Sequence, residues 1–73
     1  MNIKQAIDDI LCFQKTHIDW AEFFEANPEK EREFISNGHW DDAIEHRNIV
    51  YQYDNVITCL KSLQPQQLPE YTI

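Results

Sequence analysis

The chain has 73 residues, a net charge of −7 and an apolar content of 42%, which suffices for one small domain whose core is marginal without a partner, a metal or a disulfide. No apolar run approaches the roughly 20 residues of a membrane span, and acidic residues occupy the N-terminal region where a signal peptide carries bases. We therefore expect a soluble, cytoplasmic protein.

The first predicted element is a helix from about Ile3 to Thr16. Asn2 precedes it and is suited to cap it, because the Asn side chain accepts hydrogen bonds from backbone N–H groups of the first turn. His17 and Ile18 are predicted as a joint after this helix. Its apolar residues recur at three- and four-residue steps and form one stripe: Ile3, Ala6, Ile7, Ile10, Leu11 and Phe13.

Two short helices are predicted next. Asp19 opens the first, with Glu22 three residues later, which is the spacing of a capping box. Pro28 begins the second, because proline is favoured at the first position of a helix. Gly38 ends it, since glycine readily adopts the left-handed conformation that follows many helices.

The longest predicted helix runs from His39 to Leu63, a stretch without proline or glycine. Its first half carries one apolar stripe: Trp40, Ala43, Ile44 and Tyr51. Its second half carries another on roughly the opposite side: Ile49, Tyr53, Val56, Ile57, Leu60 and Leu63. About 25 residues make a rod nearly 40 Å long, whereas a compact chain of this size is only about 30 Å across.

The rod is therefore expected to extend beyond its own bundle. A second copy of the chain is the simplest cover for the apolar surface that this leaves exposed. The alternative is that the helix breaks near Asn48 or Asn55 and folds back, because Asn is a poor residue inside a helix.

Together these elements predict an all-α fold: a small helical bundle in which the N-terminal helix is antiparallel to a long C-terminal helix, with two short helices between. Residues 1–64 are predicted as the helical domain. Residues 65–73 are predicted as an extended or disordered tail, because prolines and glutamines dominate its start. Cys12 and Cys59 are expected to pack as small buried residues without forming a disulfide.

The charge is concentrated between Asp19 and Glu45, where nine acidic residues stand against two bases. Direct binding to nucleic acid is disfavoured because phosphates require clustered Lys and Arg, and a helix-turn-helix protein would need a basic recognition helix. A protein with a basic surface is a more natural partner. The predicted acidic recognition surface consists of six residues: Glu22, Glu25, Glu29, Glu33, Asp41 and Asp42.

No motif indicates catalysis, a cofactor or a metal. Asp42 and His46 share a helix face, but a zinc site needs three or four ligands and only His17 could come from outside this stretch. Nothing favours a pH-sensing role for the histidines, including His39, over surface placement. Five aromatic residues could line a ligand pocket or, more commonly, form the core under the short helices: Trp20, Phe23, Phe24, Trp40 and Tyr51.

The predicted function is protein–protein interaction in a regulatory or adaptor role, without catalysis, by a homodimer. The alternative is an acidic mimic of nucleic acid, of the phage or mobile-element type, that inhibits a DNA- or RNA-binding protein. Large aromatic and aliphatic side chains supply most of the binding energy of interfaces. The expected apolar contact residues are Trp40, Tyr51, Tyr53, Val56 and Leu60.

Overall fold

The computed structural model describes residues 2–63, which form three helices: α1 (Ile3–Ala26), α2 (Pro28–Ser36) and α3 (Ala43–Ser62). The predicted all-α fold is confirmed, with α1 and α3 packed along each other in antiparallel orientation and α2 packed on α1. None of these helices combines the length and the hydropathy that crossing a membrane requires. The predicted tail, residues 65–73, lies outside the described residues.

α1 continues without a break through the joint predicted at His17 and Ile18. Lys15 donates to the carboxylate of Asp19 at 3.0 Å, an ion pair between successive turns that supports a continuous helix. The short helix predicted to open at Asp19 is therefore part of α1. Only α2 lies between the two long helices, where two short helices were expected.

Three of the predicted helix boundaries are confirmed. The side-chain oxygen of Asn2 accepts a hydrogen bond from the Lys4 backbone N–H at 2.8 Å and caps α1. Pro28 is the first residue of α2. Gly38 follows α2 with a φ of 103°, a backbone conformation that favours glycine.

α3 begins at Ala43, four residues after the predicted start at His39. Asp42 is its N-cap, because the Asp42 carboxylate accepts a hydrogen bond from the Glu45 backbone N–H at 2.8 Å. Asp and Glu three positions apart have the spacing of a capping box, as Asp19 and Glu22 do inside α1. Residues 37–42 form a segment between α2 and α3 that we call the linker.

α3 is unbroken through Asn48 and Asn55, so the alternative in which this helix folds back is wrong. Its 20 residues span about 30 Å, whereas α1 has 24 residues. The buried residues Ile7 and Ile57 show that packing extends to the C-terminal part of α3. The prediction that a rod extends beyond its own bundle is therefore wrong, because α1 accompanies α3.

The core is a seam of residues spaced alternately four and three positions apart on both helices, as in a coiled coil. The seam positions are all buried or half-buried: Ile3, Ile7, Ile10, Gln14, His17, Ala21 and Phe24 on α1, and Ala43, His46, Val50, Tyr53, Ile57 and Leu60 on α3. Leu11 and Phe13, which the predicted stripe includes, are exposed. Two polar residues, Gln14 and His46, are instead buried in the seam.

Cys12 and Cys59 are both exposed and both free. The prediction that they pack as small buried residues is therefore wrong. Each follows a seam residue, Ile10 or Ile57, by two positions, and a step of about 200° around the helix carries the side chain away from the seam.

Candidate interaction surfaces

Three large apolar side chains in the linker and the N-terminal half of α3 remain largely exposed. Trp40, in the linker, is 92% exposed, Ile44 is 71% exposed and Tyr51 is 64% exposed. Ile44 and Tyr51 are two turns apart on the side of α3 away from the seam. We call Trp40, Ile44 and Tyr51 the outer residues. They belong to the first of the two predicted stripes, and α1 does not cover them.

A bidentate ion pair joins α1 to α3 beside the outer residues. The Nε and Nη2 atoms of Arg47 donate to the two carboxylate oxygens of Glu25 at 3.0 and 2.8 Å. These hydrogen bonds lower the pKa of the Glu25 carboxyl and raise the pKa of the Arg47 guanidinium. Glu25 is one of the predicted recognition residues, and both of its carboxylate oxygens are paired with Arg47.

The other predicted acidic residues of α1 and α2 lie at the surface. Glu22 is exposed on α1, and its negative charge raises the pKa of Arg47. Glu29 is exposed on α2, and Glu33, also on α2, lies 3.6 Å from Lys30. Of these three carboxylates, Glu22 is the one that lies near the outer residues, as its charge interaction with Arg47 indicates.

Carboxylates near the start of α3 accept hydrogen bonds from its backbone N–H groups, in addition to contributing negative charge. Asp42 caps α3, and Glu31 of α2 accepts a hydrogen bond from the Ala43 backbone N–H at 2.7 Å. Asp41 is half-buried in the linker. Asp41 and Asp42 are both predicted recognition residues, and they directly follow Trp40 in the chain.

The flank opposite the Glu25–Arg47 ion pair is apolar. Glu25 and Arg47 each directly follow a seam residue, so residues that directly precede seam positions lie on the other flank of both helices. On that side Phe13 is 59% exposed and Val56 is 44% exposed, and Leu63, two turns after Val56, is also exposed. We call Phe13, Val56 and Leu63 the apolar flank.

The predicted contact residues Tyr53 and Leu60 are half-buried seam residues that border the apolar flank. Tyr53, Val56, Leu60 and Leu63 of the second predicted stripe therefore lie on one side of α3, with Val56 at the centre of this surface. At the other end of the molecule the corresponding position on α1 is Trp20, whose ring lies 5.6 Å from the ring of Phe34 on α2. α2 thus covers one end of this side and leaves the apolar flank open.

An aromatic cluster fills the space between α1, α2 and the linker. The ring centroid of Trp20 lies 5.3 Å from Phe24, 5.6 Å from Phe34 and 4.6 Å from His39. Phe23 packs against the same rings, and Phe24 is the largest fully buried side chain of the described part. Of the five aromatic residues predicted to gather, these three of α1 do so, whereas the other two are outer residues.

Three histidines from three different segments form a hydrogen-bonded chain beside this cluster. Nδ1 of His17 on α1 lies 2.8 Å from Nδ1 of His46 on α3, and Nε2 of His46 lies 3.2 Å from Nε2 of His39 in the linker. His46 is only 3% exposed. Burial, and then the neighbouring His17 ring, lowers the pKa of His46. Surface placement, the expectation for these histidines, is wrong for His46.

The histidine chain can hold and share protons, because each neutral imidazole has one donor and one acceptor nitrogen. It cannot bring three nitrogens to one metal ion, since His46 directs one ring nitrogen at His17 and the other at His39. No group of three His, Cys, Asp or Glu side chains within residues 2–63 is arranged to hold a metal.

The sequence reasoning did not identify the histidine chain. One signal was available, since His17 and His46 fall on the alternating four- and three-residue spacing that defines the seam. No comparable signal places His39 with them, because the linker has no periodic pattern that fixes its position.

Comparison of the chain with protein-family models, with curated proteins and with solved structures finds no match. The surfaces, contacts and charges of residues 2–63 are therefore the basis for inferring its function.

Proposed function

We propose that the protein is a non-catalytic protein-interaction module with a regulatory or adaptor role, and that it acts as a homodimer. The observation that carries this proposal is the exposure of large apolar side chains on two separate surfaces, the apolar flank and the outer residues. Single exposed apolar residues are ordinary, whereas grouped ones are typical of contact sites. Two such surfaces offer one site for a second copy and another for a different protein.

Electrostatics favours the apolar flank as the site for the second copy. Each chain has a net charge of −7, so two copies associate most readily where few carboxylates meet. The neighbours of Phe13 and Val56 one turn away on the outer side are Asp9, Thr16, Gln52 and Cys59, of which only Asp9 is charged. The centres of protein interfaces are similarly depleted in charge.

The helical geometry supports the same assignment. Phe13 and Val56 each directly precede a seam residue, so the apolar flank continues the seam sideways on both helices. If two copies join along this flank, the α1 and α3 helices of both copies form a four-helix bundle. A two-fold axis then pairs the same residues from each copy. Tyr53 and Leu60 would then become fully buried, as expected of contact residues.

The outer residues suit a partner that combines a basic surface with an apolar pocket. Trp40 is almost fully exposed, and Asp41 and Asp42 follow it in the chain. Buried Trp and Tyr side chains are the commonest anchors of protein interfaces, and complementary charge accelerates association. We assign Trp40 as the main anchor and Tyr51 as a second one.

The alternative function, an acidic mimic of nucleic acid, has less support. A mimic needs free carboxylates in place of phosphates, whereas Glu25 is paired with Arg47, Glu31 accepts from the Ala43 backbone N–H and Asp42 caps α3. Such a mimic would also make no use of the exposed Trp40 side chain.

Sedimentation of two matched variants tests the dimer. Val56→Glu and Ile44→Glu each place one carboxylate at an exposed position of α3, but only Val56 lies on the apolar flank. We expect the wild type and Ile44→Glu to sediment as dimers and Val56→Glu as a monomer, all with the same helical circular dichroism. A monomeric wild type, or dissociation by Ile44→Glu alone, would contradict the proposed dimer.

Affinity capture from the native host tests the partner site. The immobilised wild type is compared with Trp40→Ala and with Phe13→Ala, at low and at moderate salt, and bound proteins are identified by mass spectrometry. We expect Trp40→Ala to lose a protein that the wild type and Phe13→Ala retain. A protein that Trp40→Ala still binds and that moderate salt removes would instead favour the nucleic-acid mimic.

A further inference from the structure

The histidine chain has a fixed capacity for protons, which follows from counting hydrogens. Each of its two nitrogen–nitrogen contacts, His17 to His46 and His46 to His39, has room for one hydrogen. The outward nitrogens, Nε2 of His17 and Nδ1 of His39, can carry one each, so the intact chain holds at most four. Three neutral imidazoles already carry three hydrogens, and therefore only one additional proton fits.

A second additional proton would have to enter a contact that already holds a hydrogen. Two N–H groups would then point at each other across 2.8 or 3.2 Å, and one contact must break. His17 and His46 lie in the seam of two packed helices, whereas His39 lies in the linker. The longer contact, between His46 and His39, is therefore the one that opens.

We propose that His17, His46 and His39 act as a proton-operated latch, which holds the linker against α1 and α3 at neutral pH and releases it when the histidine chain takes up its second proton. The latch differs from a single buried histidine because its first proton leaves both contacts intact. Release thus follows the second protonation step only.

The surroundings of the chain oppose protonation of its central ring. Burial, and then the neighbouring His17 ring, lowers the pKa of His46, and the nearby carboxylates of Asp41 and Asp42 offset this lowering only in part. Tyr53 of α3 packs beside His17, while α2 contributes Phe34 next to the linker histidine and Glu31 bound to the start of α3. The second proton enters at lower pH than the first, because two like charges on neighbouring rings repel each other.

Release of His39 would free the linker residue that follows it, Trp40. The aromatic cluster would lose one ring at the same time, because His39 packs on Trp20 and Phe24. A partner anchored on Trp40 would then be lost in acid, and this consequence alone rests on the proposed function.

Nitrogen-15 NMR of the imidazole rings tests the latch between about pH 8 and about pH 5. The chain contains three histidines in all, so each ring signal belongs to a member of the latch. We expect the rings to take up one proton with the linker amides unchanged. Towards the acid end of this range the amides of residues 37–42 and the His39 ring should shift together, while the amides at the centre of α1 stay in place.

His39→Gln is the matched variant, since the Gln side chain can both donate and accept and so keeps its contact when His46 is protonated. We expect the acid shift of the linker amides to disappear in it. Independent titration of the three wild-type rings without movement of the linker would overturn the latch, as would an unchanged shift in His39→Gln. The wild-type titration decides even if the variant fails to fold, and neither result depends on partner binding.

Discussion

The side-chain nitrogen of Gln14 lies 3.0 Å from the backbone carbonyl oxygen of Val50 and links the middles of α1 and α3. The same nitrogen donates to the carboxylate of Asp54 at 2.6 Å. Gln14 is buried at a seam position where an apolar residue would also fit. A single buried polar residue at such a position selects one register and orientation of the paired helices, at a cost in stability.

Gln14→Leu should therefore leave the free energy of unfolding unchanged or raise it, because Leu fills the seam without needing polar partners. Gln14→Ala should lower it by about 1–3 kcal/mol, since it removes both the packing and the hydrogen bonds. Urea unfolding followed by circular dichroism measures both values.

The register itself is read from amide NMR spectra of the same two variants. We expect Gln14→Leu to show extra peaks from a second helix register. If Gln14→Leu is as unstable as Gln14→Ala and gives one set of peaks, Gln14 contributes net stability and does not select the register.

Removal of the α3 cap should cost more than removal of the neighbouring charge. Asp42→Ala deletes the side chain that accepts from the Glu45 backbone N–H, and the expected loss is about 1 kcal/mol. Asp41→Ala removes one carboxylate of the linker without touching this cap, and a loss below about 0.5 kcal/mol is expected. Thermal unfolding of the two variants side by side checks the difference, and equal losses would contradict the capping role.

Acid should destabilise the fold through His46. The folded pKa of His46 lies below its ordinary value, so the unfolded chain binds more protons and the free energy of unfolding falls as the pH decreases. The stability is fully present above about pH 6.5 and is lost progressively as the pH falls from there towards the lowered pKa. Urea unfolding at a series of pH values measures this dependence.

His46→Gln removes the titrating ring and serves as the comparison. Its overall stability is expected to be lower, since a buried residue is changed, but its slope against pH between about pH 6.5 and about pH 5 should be smaller than that of the wild type. Identical slopes would assign the acid dependence to other groups.

The two cysteines should react differently if the apolar flank is the dimer contact. Both thiols are exposed in one chain, so both react rapidly with a thiol reagent in dilute solution. Cys59 lies one turn from Val56, whereas Cys12 is on the outer side of α1, and dimerisation should protect Cys59 alone. Labelling rates at rising protein concentration measure this, with Val56→Glu as the control that restores Cys59 reactivity; equal protection of both would place the contact elsewhere.

Local sequence chemistry determined the helical content and several helix ends. Asn2, Pro28 and Gly38 act on backbone groups within one turn, so their effects could be predicted without knowledge of the fold. The same reasoning misplaced the start of α3, although Asp42 and Glu45 have the spacing of a capping box. Asp19 and Glu22 share that spacing inside α1, and the pattern alone cannot show which of the two begins a helix.

Packing between distant segments decided the rest. α1 packs along α3 beyond the point where its end was predicted, and whether a residue is buried depends on the seam that the two helices share. Gln14 finds its partners 36 and 40 residues away, and His17 meets His46 across 29 residues. The amino-acid sequence by itself determined a helical chain whose helices have apolar sides, because helix formation is governed by neighbours along the chain. Only the tertiary structure decided which apolar residues stay exposed and that three histidines meet, because these depend on how the helices pair.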